Sequence, residues 1–351
     1  MTMSFVHVSN PQRVVFAPDD AARAVSDEVE RLGVRRLMLI GSSGGHADRL
    51  AEGLPVAIRQ HEVTMHVPVE LADTARERAK IADVDAVMSV GGGSAIGLAK
   101  AVALTTGLPI IAVPTSFAGS EATDMWGMTQ NATKSTGVDP RVLPRAVIYD
   151  ATLTASMPSD MAVASGLNAL AHGVDSMWAP RSDPIDQALA EEAIRSLACG
   201  LGDIVDDPGA LCGRERTLYG AYLAAVAFAS AGSGLHHKVC HVLGGMFNLP
   251  HAQTHAVVLP HVVALNAPAD DAANTRISRA LGSSTANDGL ANLYQRLDAP
   301  RSLAELGMPE AGIEHAALAI LGVMPDGNPV ELTEVNLAAL LRRAWKGTPI
   351  T

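Results

Sequence analysis

The chain has 351 residues, 48% of them apolar, which is enough to bury a sizeable core and to form two domains. Aromatic residues make up 3% and alanine is abundant, favouring closely packed helices over a β-sandwich. A net charge of -11 without a basic run argues against a nucleic-acid surface, and three scattered cysteines (Cys199, Cys212, Cys240) exclude a disulfide framework or a C-x-x-C metal site.

Met1 to Val14 lacks the basic start and apolar stretch of a signal peptide, and no run reaches transmembrane length. A cytoplasmic protein with no membrane partner is the expectation. The helical pattern DDAARAVSDEVERLG comes first in the chain, followed by the apolar run RRLMLIGSS, which predicts a buried strand ending in a Gly/Ser turn. ADVDAVMSVGGGS and GLPIIAVPTS read the same way, with the helix SAIGLAKAVALTTG between them. Strand–helix alternation of this kind predicts a mostly parallel sheet covered on both faces, with ligands beyond the carboxyl ends of its strands. The stretch TDMWGMTQNATKSTGVDPRVLPRAVIYD is richer in polar turn residues and suits a hairpin leaving the sheet.

After Asp150 the strand signals nearly vanish. SDMAVASGLNALAHGVDSMWA, DPIDQALAEEAIRSLACGLGDIV and RERTLYGAYLAAVAFASAG are long helical patterns with Ser or Asp starts. Pro158 and Ser159 would open the first of them. The expected organisation is therefore an α/β dinucleotide-binding domain over residues 1–157 and an all-helical substrate and catalytic domain over 158–351, with the active site in the cleft between them.

Gly91, Gly92, Gly93 and Ser94 lie between the strand DAVMSV and a helix. Glycines let backbone approach a ligand closely, and the helix start offers free N–H groups suited to a pyrophosphate. The plain alternative is a tight turn with no ligand, and GGGS alone is not a G-x-G-x-x-G fingerprint. Thr115, Ser116 and Ser120, in the turn PTSFAGSE after the next strand, would line the same groove. Singly, each hydroxyl is an ordinary turn residue; their shared position with the glycine turn gives them weight.

Of 12 histidines, six fall between His236 and His261, and His172 joins them as a candidate. Asn168 and His172 are four apart, as are His237 and His241, so each pair shares a helical face. His251 follows Pro250 at a helix start. His172, His237, His241 and His251 are the catalytic or ligand candidates. His236, His255 and His261 are assigned structural or supporting roles, and His7, His46, His61, His66 and His315 are expected at the surface.

The ordered set GGGSAIGLAK, PTSFAGSE, SGLNALAH and HKVCHVLGGMFNLPH resembles the iron-containing alcohol dehydrogenase superfamily across nearly the whole chain. The resemblance implies an N-terminal dinucleotide-binding domain, a helical C-terminal domain and, commonly, a homodimer. In the metal-dependent members an Asp and a His stand at Asn168 and His172, two further ligand histidines correspond to His237 and His251, and His241 matches a histidine near the nicotinamide that is not a ligand.

The chain departs from that pattern at Asn168. A divalent ion favours a carboxylate, and an amide oxygen offers only a dipole. With the shorter PTSFAGSE turn and VLPRAVIYD, this departure resembles maleylacetate reductases, a branch that works without a catalytic metal. They reduce maleylacetate to 3-oxoadipate with NADH or NADPH at the end of bacterial aromatic-ring degradation. Asn168 is accordingly expected to belong to a metal-free catalytic set acting on a small dicarboxylate.

Lys238 and Arg145 are candidates for binding the carboxylates, and Lys134 for the cofactor phosphates. Gly41, Ser42 and Ser43 follow the strand RRLMLI with no carboxylate at the turn, so Ser42 is placed beside the adenosine ribose and both NADH and NADPH are expected to be accepted. The competing readings are a metal-dependent alcohol or polyol dehydrogenase, a lyase of the dehydroquinate synthase type, and a non-catalytic nucleotide sensor.

Overall fold

A computed structural model describes residues 3–130 and 133–349, without the side chains of residues 133 and 134. The chain divides into two units, Asn10–Met157 and Pro158–Thr351 together with Met1–Ser9. The first residues were expected with the α/β half and instead group with the helices. The anchor is His7, whose Nδ1 lies 2.9 Å from the Asp183 carboxylate.

The first unit is built on a six-stranded sheet in the order β1-β8-β5-β4-β2-β3, with every pairing parallel. Its strands are β1 (Arg13–Phe16), β2 (Leu37–Ile40), β3 (Val56–Gln60), β4 (Ala86–Gly91), β5 (Ile110–Pro114) and β8 (Ala146–Tyr149). Between them run α1 (Ala21–Arg31), α2 (His46–Leu50), α3 (Val69–Ile81) and α4 (Gly93–Thr106). In β2, Leu37 and Leu39 join the core beneath α1, while Met38 and Ile40 join the core beneath α3 and α4. Burial on both faces is why these strands read as unbroken apolar runs.

The predicted hairpin exists, as β6 (Met125–Gln130) paired antiparallel with β7 (Thr133–Val138). It is shorter than expected. Ala146–Tyr149 returns to the sheet and pairs with β1 and β5, a correction to the reading that left AVIYD with the hairpin.

The second unit is helical. It contains α5 (Ser159–Ser176), α6 (Pro184–Asp206), α7 (Leu211–Ala231), α8 (Leu235–Phe247), α9 (His251–Asn266), α10 (Asp271–Ala280), α11 (Ala286–Leu297), α12 (Ile313–Leu321) and α13 (Glu334–Lys346). Helices α6 and α7 approach closely because Gly200 carries no side chain: a Cβ there would lie 2.5 Å from Thr217 Oγ1. Helix α5 is buried along most of its length, which fixes the residues it presents. Among the described residues no single helix is long and apolar enough to cross a membrane; α7 and α8 reach that length only together, across a 96° bend.

Candidate active site

The carboxyl ends of β2, β4 and β5, neighbours in the sheet, bring together the turns proposed for a dinucleotide. Gly91 opposes Pro114 in the register, and Thr115 N–H donates to Gly91 O at 3.1 Å. Gly91 has φ +154°, and a Cβ on it would lie 2.9 Å from Ala95 Cβ. Gly92 faces the second turn, since its Cβ would lie 3.1 Å from Ser116 Oγ. Helix α4 then starts at Gly93 without a side-chain cap, so its first N–H groups and its dipole are left for an anion. Gly92, Gly93, Ser94, Thr115, Ser116 and Ser120 are all partly exposed.

The second turn is held by a residue that the sequence reading passed over. Lys100 is 1% exposed. Its ammonium donates to Ser120 O at 2.6 Å, Thr123 O at 2.8 Å, Thr123 Oγ1 at 3.1 Å and Met125 O at 2.7 Å. Burial pulls its pKa down to about 7, against the opposing pull of Glu121 and Asp124. Glu121 is itself buried, which raises its pKa, and accepts from Tyr149 Oη at 2.8 Å. A lysine inside the apolar face of α4 was the signal available in GLAKAVAL.

Ser42 is exposed in the turn after β2. The turn itself carries no carboxylate, but one from α2 folds back on it. Asp48 accepts from Gly44 N–H at 2.6 Å and pairs with Arg59 at 2.5 Å. The local charge is therefore balanced.

The histidines of the helical unit do come together. Asn168 and His172 project from α5, His236, His237 and His241 from α8, and His251 and His255 from α9. His172 and His237 are stacked, centroids 4.8 Å apart and planes 10° from parallel. The Phe228 ring from α7 lies 4.9 Å from His172 and 4.2 Å from His237. His241 sits 6.2 Å from His237, and His251, at the exposed start of α9, lies 4.4 Å from His255. Dehydration lowers the pKa of His172 to about 4 and, with neighbouring imidazoles, that of His236 to about 3. The same causes hold His237 and His255 well below the ordinary range. Asn168 Oδ1, His172 Nδ1 and His237 Nε2 are buried and find no hydrogen-bond partner among the described residues. Such atoms are costly when left alone and suited to a polar ligand.

Asp175 was not a sequence candidate. It is fully buried on α5 and accepts backbone N–H bonds from Gly234 at 2.9 Å, His236 at 3.2 Å and His237 at 3.4 Å, and lies 2.8 Å from His237 Nδ1. Burial raises its pKa to about 6 despite those bonds. His236 and His255, expected in structural or supporting roles, are buried and joined through Nε2 and Nδ1 at 2.9 Å.

The positions that the resemblance implies as metal ligands are Asn168, His172, His237 and His251. They offer one amide oxygen and imidazoles, with no carboxylate. Among the described residues, His172, His237 and His251 are not a group whose donor atoms lie within 4.8 Å of one another. His236, Cys240 and His255 are such a group, but the two imidazoles spend their facing nitrogens on each other.

Other expectations fare variously. His7 is partly buried against Asp183 rather than free at the surface. His261 lies in a cavity of about 320 Å³ with Pro260 and Tyr294. Arg145 is exposed and precedes β8, at the amino end of a sheet whose proposed cofactor turns lie at the carboxyl end. Lys238 is partly exposed on α8, and the Lys134 side chain lies outside the described residues.

Residues 11–151 match the model of iron-containing alcohol dehydrogenases, and residues 162–345 match the C-terminal model of the same family. The chain belongs to the iron-containing alcohol dehydrogenase family. As a member it is an oxidoreductase with the two-part architecture described above. It is 45% identical to a maleylacetate reductase of Sphingobium indicum, over 99% of each chain. Among solved structures, an iron-containing alcohol dehydrogenase from Corynebacterium glutamicum superposes with a TM-score of 0.97 at 50% identity, covering 99% of this chain and 98% of that one. A maleylacetate reductase from Agrobacterium tumefaciens gives 0.94 at 38% identity, covering 99% and 100%.

Proposed function

We propose that this family member is a maleylacetate reductase that works without a catalytic metal, reducing maleylacetate to 3-oxoadipate in bacterial aromatic-compound degradation. The observation that carries the reading is the 45% identity to a maleylacetate reductase over 99% of both chains. Asn168 supports the metal-free part, because it removes the one carboxylate from the implied ligand set.

The chemistry is consistent with that loss. Hydride addition to an isolated carbonyl leaves a localised alkoxide, a charge that a strong Lewis acid serves to stabilise. Maleylacetate carries a C=C bond conjugated to a ketone. NADH or NADPH supplies the hydride, which adds to the alkene carbon, and the π electrons move to give an enolate on the ketone oxygen. The buried imidazoles and the Asn168 amide then provide hydrogen-bond donors for that delocalised charge. A proton completes the reduction at the adjacent carbon, with His237 or His241 as its donor.

The turns Gly91–Ser94 and Thr115–Ser120 hold the pyrophosphate, and the Ser42 turn holds the adenosine ribose. Arg59 neutralises Asp48 there, so both NADH and NADPH are accepted; a NADPH rate at background beside a robust NADH rate would contradict this. The enzyme is a cytoplasmic homodimer. The test is absorbance at 340 nm with enzymatically generated maleylacetate: loss of NADH matched by 3-oxoadipate supports the reading, and no turnover ends it.

A further inference from the structure

We propose that His7, Asp183 and Asp186 form a structural site for Zn²⁺, which fastens the amino-terminal segment to the helical unit. The site is independent of the reductase reading and uses none of the residues assigned to catalysis. Of residues 3–9, only His7 is not exposed. Phe5 and Val6 before it and Val8 after it face solvent, so His7 is the residue of this segment turned toward the helices.

Its imidazole meets the start of α6. Nδ1 lies 2.9 Å from Asp183 Oδ2 and 3.5 Å from Asp186 Oδ1, with Ser230 Oγ of α7 at 3.4 Å. One donor atom from each of His7, Asp183 and Asp186 lies within 4.8 Å of the other two. In a tetrahedral zinc site with bonds of about 2.0 Å, neighbouring donors stand about 3.3 Å apart. The two distances from the imidazole to the carboxylates bracket that spacing.

The two carboxylates are prepared differently. Asp183 caps α6: its Oδ1 accepts from Ile185 N–H at 2.7 Å and from Asp186 N–H at 2.9 Å, which orients Oδ2 toward His7. Asp186 is fully buried, and neither of its oxygens finds a hydrogen-bond partner among the described residues. A buried carboxylate in that state is costly until a cation meets it. Two carboxylates face one imidazole, so even a protonated ring leaves a negative charge in excess. A divalent cation balances both, and one imidazole nitrogen with two carboxylate oxygens is a donor set that Zn²⁺ accepts. Ser230 Oγ or a water completes four ligands. Binding takes the proton from Nδ1 and leaves Nε2–H in place. The His7 side chain is 14% exposed, which gives the ion a way in and lets a chelator remove it.

The test uses the full-length protein, stripped with a chelator, freed of it and titrated with Zn²⁺ by calorimetry, beside His7→Gln and Asp186→Asn. The wild type should take up one Zn²⁺ per chain more than either variant. Chymotrypsin cleavage after the exposed Phe5 gives a second readout. With Zn²⁺ at about ten times its dissociation constant, cleavage of the wild type should slow about ten-fold, and that of the variants should not change. Equal zinc uptake by the three proteins would overturn the proposal and leave an ordinary histidine–carboxylate ion pair. If the variants fail to fold, wild-type crystals grown with Zn²⁺ decide through anomalous scattering at the zinc edge. A peak bounded by His7, Asp183 and Asp186 supports the site. Peaks confined to the imidazoles of α5, α8 and α9, or no peak at all, overturn it.

Discussion

His172 and His237 lie ring on ring, their centroids 4.8 Å apart and their planes 10° from parallel. Two imidazoles in that arrangement resist being charged together, and burial resists charging either. His172 is held at about 4 and His236 at about 3, with His237 and His255 also well below the ordinary histidine value of 6.5. The unfolded chain takes up protons below about pH 6.5 that the folded chain refuses until about pH 4, so stability falls as pH drops through that window. Asp175, raised to about 6, works the other way, because the folded state keeps its proton where an unfolded aspartate at 3.8 would release it. With His261 also held at about 4, five histidines outweigh the three raised carboxylates, Asp175, Asp186 and Glu121. The melting temperature should therefore decline steadily from pH 7 to pH 5, and less so in His172→Gln; a flat profile would contradict the buried neutral cluster.

Asn168→Asp restores the carboxylate that the family's metal-dependent pattern carries. The variant should bind Zn²⁺ or Fe²⁺ more tightly than the parent, measured as metal retained after gel filtration. Without metal, its maleylacetate turnover should fall by about a hundred-fold, since an anion replaces a donor at the enolate. Equal metal retention and equal turnover in the two proteins would show that the position is neutral to both chemistries.

Gly91→Ala tests the glycine turn. With φ at +154° and Ala95 Cβ 2.9 Å from the new methyl, the backbone must shift. A cost of about 1–3 kcal/mol is expected in urea unfolding. The KM for NADH should rise about ten-fold, the equivalent of 1.4 kcal/mol, while an unaltered KM would detach this turn from the cofactor.

Lys100→Met keeps the stem of the side chain and removes four hydrogen bonds from the turn that carries Ser116 and Ser120. The carbonyls of Ser120, Thr123 and Met125 lose a buried donor. Denaturant unfolding should show a loss of about 2–4 kcal/mol. The KM for NADH should rise with it, because the turn is no longer fixed; a stable variant with a wild-type KM would refute that positioning.

The parts of the fold legible in the sequence were those with a single dominant signal. β2, β4 and β5 are buried on both faces and so appear as unbroken apolar runs ending in glycine or polar turns. β1 and β3 are short and partly exposed, with Arg13 and Arg59 inside them, and carry no such run. β8 was hidden by Pro144 and by its proximity to the hairpin. The histidine cluster was legible through i, i+4 spacing. Asp175 was not, although it lies three residues after His172 and so near the same helical face. A carboxylate at the end of a helix reads as a solvated residue until packing shows it at the start of α8. Lys100 was missed for the same reason, because lysine is normally a surface residue.

The central claim is a metal-free conjugate reduction, and the most direct measurement is NADH oxidation with maleylacetate in metal-free buffer containing a chelator, on protein whose Zn and Fe content has been determined. The account predicts undiminished turnover with far less than one metal ion per chain. Activity that disappears on chelation and returns with Zn²⁺ or Fe²⁺ would contradict it and assign the histidines to a metal-dependent dehydrogenase.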